Sequence, residues 1–88
     1  MNMNIVGKIH QIGDEQSVSD KFKKREFVIN TGGQYPQYIS LQLVNNNCSV
    51  IDSFNIGDSV VAFINLKGRE YNGKYYNSIE CYKLKSDQ

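Results

Sequence analysis

Cations and flat rings alternate in two short stretches of this sequence. Lys21, Phe22, Lys23, Lys24 and Arg25 occupy five consecutive positions. A second stretch carries Lys67, Arg69, Tyr71, Lys74, Tyr75 and Tyr76, with Glu70 among them. Ammonium and guanidinium groups neutralise phosphates, and the faces of Tyr and Phe stack on bases. That is the chemistry an unpaired polynucleotide needs. The plainer reading of the same residues is a solvated hairpin rim, because Lys and Tyr are common at strand ends. The choice between the two turns on whether the fold brings the stretches together.

Other chemistries find little support. No serine, cysteine or carboxylate pair has a recognisable catalytic partner. His10 is a lone histidine and reads as a surface or hydrogen-bonded side chain. Asp14 and Glu15 are adjacent and read as a solvated turn. Cys48 and Cys81 lack CxxC spacing, and one histidine cannot complete the roughly four ligands of a zinc site. They read as two buried free thiols. At 88 residues the chain buries one small core, which argues against a self-contained enzyme. Apolar residues make up 40% and charged residues 22%, a globular rather than a disordered composition. The net charge of +1 points to no partner by itself. No apolar run approaches a membrane span, and the opening MNMNIVGKIH has no signal-like apolar stretch. A cytoplasmic protein with no cofactor is expected.

The elements that must position these residues are mainly strands. The first runs from about Asn4 to Ile12, with Ile5, Gly7 and Ile9 on one face. Gly7 inside it suggests a bend or bulge. Gly13 to Lys21 is polar and aperiodic and reads as a loop. The second strand, about Phe22 to Thr31, pairs Phe27 with Ile29 on its core side. Thr31-Gly32-Gly33-Gln34 reads as a turn. The third strand, Tyr38 to Val44, alternates Ile39, Leu41 and Leu43 with Tyr38, Ser40 and Gln42. Asn45-Asn46-Asn47 breaks it. Residues 48–54 read as a short helix with Val50, Ile51 and Phe54 on its apolar side. The fourth strand, Ser59 to Leu66, is apolar on both faces. Asn72-Gly73 is the strongest hairpin signal, and the fifth strand runs from about Lys74 to Leu84. The order predicts an all-β, five-stranded OB-fold Greek-key barrel with its helix between strands 3 and 4. An SH3-like barrel does not normally carry a helix there. One domain, 1–88, is expected, with about 4–84 ordered and 85–88 a frayed tail. Its core should unite Phe27, Ile29, Ile39, Leu41, Val61, Phe63 and Ile79.

The runs FKKREFVINTGGQYPQYISLQ, FNIGDSV and GREYNGKYYNSIECYKL, over about residues 4–84, resemble a family of short bacterial and phage OB-fold proteins. That family is related to single-stranded-DNA-binding proteins, and many of its members are filed as a domain of unknown function. The resemblance implies a single OB domain that binds single-stranded DNA and carries out no catalysis. Replication-fork relatives end in a long tail with an acidic, aromatic tip. This sequence stops at Lys85-Ser86-Asp87-Gln88, so recruitment through such a tail is not expected. It has no Trp, so stacking falls to Tyr and Phe.

In an OB barrel the loops joining strands 1–2 and 4–5 flank a binding face on strands 2 and 3. Both basic-aromatic stretches fall on those loops. The sequence therefore predicts phosphate neutralisation by Lys21, Lys23, Lys24, Arg25, Lys67, Arg69 and Lys74. Stacking falls to Phe22, Tyr38, Tyr71 and Tyr75 or Tyr76. Outward residues of strands 2 and 3, including Ser40 and Gln42, would complete the face. The expected partner is single-stranded DNA, bound with little sequence preference during replication, recombination or repair. Self-association is compatible with unpaired strand edges. The alternatives are an OB module that binds protein, such as a phage assembly or host-takeover component, or single-stranded RNA binding.

Overall fold

Alternating burial defines most strands of the computed structural model, which describes residues 3–87. The elements are β1 (Met3–Ile12), β2 (Gln16–Ser19), β3 (Phe22–Asn30), β4 (Tyr38–Val44), a 3-10 helix (Asn45–Ser53), β5 (Ser59–Tyr71) and β6 (Lys74–Ser86). Leu41 and Leu43 of β4 point inward, as do Phe27 and Ile29 of β3 and Val60, Ala62 and Ile64 of β5. The strands pair in the order β1-β5-β6-β4-β3-β2, and a further pairing of β1 with β3 closes five of them into a barrel. All pairs are antiparallel except β4–β6, which is parallel and joined at Gln42 and Glu80. This is the mainly β, OB-type barrel expected, with its one helix between β4 and β5.

Closure depends on β1 serving two neighbours. Its first half pairs with β5 from Met3 to Lys8, and its second half pairs with β3 from Lys8 to Ile12. The strand crosses between them at Gly7, where a Cβ would sit 2.6 Å from the Asn30 carbonyl oxygen. Only glycine permits that approach. The register shift lies slightly further on, between Ile9 and Gln11. There the Ile9 N–H donates to the Asp58 carbonyl (3.0 Å), and the Gly57 N–H donates to the Ile9 carbonyl (2.8 Å).

The helix plugs one end of the barrel, packing against β3, β4 and β6. It begins at Asn45, three residues before the expected start. Its buried side chains are Cys48 and Ile51. A 3-10 helix has three residues per turn, which lines up positions 48, 51 and 54. Val50 is therefore turned partly aside, and Phe54 packs at the margin of the core.

Several expectations need correction. Gln16–Ser19 is a strand, not loop: every side chain of β2 is exposed, so no apolar alternation marks it. The connection after β3 is a wider loop than a tight turn. Thr31 and Gln37 close it with reciprocal hydrogen bonds of 3.0 and 3.1 Å. Val61 and Phe63 lie on the outer face of β5, half-buried, while Val60, Ala62 and Ile64 take the core. The run is apolar at every position, so its sequence does not say which face is inside. β5 continues to Tyr71, five residues past the expected end. Lys85 and Ser86 are not frayed: they pair with Val61 and Val60, and the Asp87 N–H donates to the Ser59 carbonyl (2.9 Å). Gln88 lies outside the described residues.

Candidate nucleic-acid interface

Beyond the barrel, β5 and β6 run on as a two-stranded arm closed by Asn72 and Gly73. Both turn residues have positive φ, 53° and 78°, as a tight hairpin turn of this hand requires. Cross-strand pairs share a face. Lys67 stands opposite Ser78, Arg69 opposite Tyr76, and Tyr71 opposite Lys74. Period-two alternation thus puts Lys67, Arg69, Tyr71, Lys74 and Tyr76 on one side of the arm. Tyr75 stands opposite Glu70 on the other side. Of the two candidate tyrosines, Tyr76 is the one that keeps company with the cations.

Between this arm, the β2–β3 hairpin and the outer face of β4 lies a hollow of about 600 Å³. Val18, Phe22 and Lys24 form one wall, Gln42 and Val44 the floor, and Lys67, Arg69 and Tyr76 the other wall. A second hollow of about 660 Å³ shares Gln42, Lys67, Gly68, Asn77 and Ser78 and extends the cleft past Ser40 and Glu26. The two basic-aromatic stretches therefore do converge. The Arg69 guanidinium lies 5.8 Å from the centroid of the Tyr76 ring, so that cation and ring are presented together. Lys67 forms an ion pair with Glu80. The neighbouring cations Lys24 and Arg69 have no acidic partner among the described residues.

Convergence is partial. Along β3, alternation sends Phe22 and Lys24 to the cleft but not Lys23 and Arg25. Lys21 and Lys23 line a separate hollow with Glu15, Asp20 and Asn45. The Lys23 N–H donates to Asn45 Oδ1 (3.1 Å). Arg25 turns into the fold. Its Nε donates to the Gly13 carbonyl (2.8 Å), and its terminal nitrogen donates to the Cys48 carbonyl (3.3 Å) and to Asp52 Oδ1 (2.8 Å). With its side chain 18% exposed, Arg25 braces the fold and does not line the cleft. Tyr38 lies on the same outward face as Ser40 and Gln42 but outside both hollows, with its ring edge-on to His10 at 4.9 Å. Tyr71 and Lys74 stand at the arm's tip, beyond the cleft lining.

Sequence reasoning missed Val18, Asn77 and Ser78 as lining residues. Val18 carried a usable signal, as the one apolar side chain in a polar segment, 58% exposed. Asn77 and Ser78 carried none. Among the described residues no group of three or more His, Cys, Asp and Glu could hold a metal ion. Both cysteines are free and buried.

The family model described as Domain of unknown function (DUF3127) matches residues 4–85. The chain belongs to that family. No curated protein matches it by sequence. Solved structures similar to this DUF3127 chain include the mitochondrial single-stranded DNA binding protein Rim1 of S. cerevisiae. That structure has a TM-score of 0.80 at 12% identity, over 100% of this chain and 96% of Rim1. The second single-stranded DNA binding protein of Mycobacterium smegmatis gives 0.71 at 20% identity, over 99% and 88% of the two chains. The PriB protein of Ralstonia solanacearum gives 0.78 at 11% identity, over 99% and 97%. At these identities the likeness establishes the fold, in agreement with the strand order.

Proposed function

We propose that this DUF3127 protein binds single-stranded DNA with little sequence preference and holds exposed strands during replication, recombination or repair. The observation that carries the reading is the cleft in which Phe22 and Lys24 face Lys67, Arg69 and Tyr76 across a floor of Gln42 and Val44. Rings supply sequence-tolerant stacking, and cations follow the phosphates. Its solved neighbours described as single-stranded DNA binding proteins support the same reading. Titration of fluorescent single-stranded and duplex oligonucleotides at two salt concentrations tests it. Two to four neutralised phosphates correspond to a slope of log K against log salt of roughly −1.4 to −2.8, at about −0.7 per phosphate. Single strands should bind more tightly than duplex, because stacking needs unpaired bases. Equal affinity for both would reduce the cleft to a non-specific basic surface. Tighter binding of single-stranded RNA would move the substrate to RNA.

A further inference from the structure

The cleft side of the arm continues down the barrel wall. The outward row of β5 runs from Lys67 through Asn65 to Phe63, a distance of about 13 Å at the usual rise per residue. The register shift between Phe63 and Ile64 places an extra residue in β6, so Tyr82 and Lys83 both turn outward beside Phe63. Bulges re-aim side chains in this way. The Phe63 ring has Lys83 Nζ 5.7 Å and Lys85 Nζ 5.8 Å from its centroid, and the Tyr82 ring is 6.4 Å away. Neither lysine has an acidic partner among the described residues. The hydrogen bond and like charge of Lys85 lower the pKa of the Lys83 ammonium. Two cations thus share one ring without a counter-ion, and an anion placed between them would relieve the repulsion. Glu80, the acid between this cluster and the cleft, is already paired with Lys67.

We infer that Phe63, Tyr82, Lys83 and Lys85 form a second station for the same single strand, which leaves the cleft along the outward face of β5–β6. The inference rests on the single-strand reading above and adds a path to it. A second copy docked here about a two-fold axis would set lysines against lysines, whereas a polyanion neutralises them.

The test compares wild type with a Lys83→Ala/Lys85→Ala double variant. Both are titrated with oligothymidylates of about 6 and about 25 nucleotides, chosen around the 4–16 nucleotides an OB domain covers. The 6-mer should bind both proteins within twofold. The 25-mer should bind the double variant on the order of tenfold more weakly, with a salt slope shallower by about 1.4 for two lost phosphate contacts. Phe63→Leu, which keeps the apolar packing and removes the ring, should weaken the 25-mer several-fold without changing the slope. Unchanged affinity and slope for the 25-mer in the double variant would overturn the second station and leave the cleft reading intact. Failure of wild type to bind either oligonucleotide would overturn the cleft reading itself. A shift in sedimentation between wild type and the double variant without DNA would make this face a subunit contact and end the proposal.

Discussion

Arg25 holds three segments together, since its guanidinium reaches Gly13, the helix carbonyl of Cys48 and the Asp52 carboxylate. Arg25→Ala should cost roughly 1.5–3 kcal/mol in urea unfolding, as expected for hydrogen bonds to a charged group. Oligonucleotide affinity should stay close to wild type. A large loss of affinity with normal stability would restore Arg25 to the binding surface. Cys81 offers a test by pH. Burial pushes its thiol from the ordinary 9.0 up to about 11. The fold therefore keeps the proton that the unfolded chain loses. Stability from this thiol is intact below pH 9 and falls as pH rises from 9 towards 11, by up to roughly 3 kcal/mol. Urea midpoints of wild type should fall across that window more steeply than those of Cys81→Ala. The basic run at 21–25 shows what a sequence conceals at this scale. Four neighbouring charges and a ring look like one patch, yet a strand sends consecutive side chains to opposite faces. The type of chemistry was legible in Lys24 and Phe22, but the diversion of Arg25 depends on carbonyls supplied by distant segments.

The β5–β6 arm divides its tyrosines between two faces, and this can be measured. Tyr76→Ala should weaken single-strand binding by roughly 1–3 kcal/mol, the usual worth of one base–aromatic contact. Tyr75→Ala should change it little. Lys24→Ala should instead lower the salt slope by about 0.7 if its phosphate contact is direct. Equal effects of the two tyrosine variants would mean that the arm is engaged from both sides or from neither. The turn at Asn72-Gly73 was legible because positive φ at both positions leaves a recognisable pair of residues. The arm's length was not. Strand periodicity is visible when one face is buried, and residues 67–71 have solvent on both sides, so Lys, Gly, Arg, Glu and Tyr show no apolar stripe. The same reason hid β2, whose four side chains are all exposed. The helix was visible from its apolar residues, but its 3-10 winding selected Cys48 and Ile51 where α spacing pointed to Val50 and Ile51.

At the scale of the molecule, strand order and the place of the helix were readable, because β1, β3 and β4 each carry an apolar core row, Ile5 and Ile9, Phe27 and Ile29, and Ile39, Leu41 and Leu43. Leu41 is fully buried and stands opposite Phe27 in the β3–β4 register, and Leu41→Ala should cost roughly 2–5 kcal/mol through the cavity it leaves. A much smaller loss would mean that β4 faces the other way. The radius of gyration, 13.4 Å, exceeds the roughly 12 Å of a compact chain of this length, and the largest dimension is 41 Å. The projecting arm accounts for the excess, and it gives the cleft its far wall. The ring that carries the arm has one thin joint. β4 meets β6 in parallel at Gln42 and Glu80, whereas its other edge pairs with β3 from Val44 to Tyr38. A rolled sheet fastened this way has a seam, and seams open first. Amides of β4 that point towards β6 should exchange with deuterium faster than those that point towards β3. Gln42 is also the floor of the cleft. A polynucleotide lying across it would act as a stitch over the seam, so occupancy should be readable as slowed exchange in β4, even with an oligonucleotide that carries no dye.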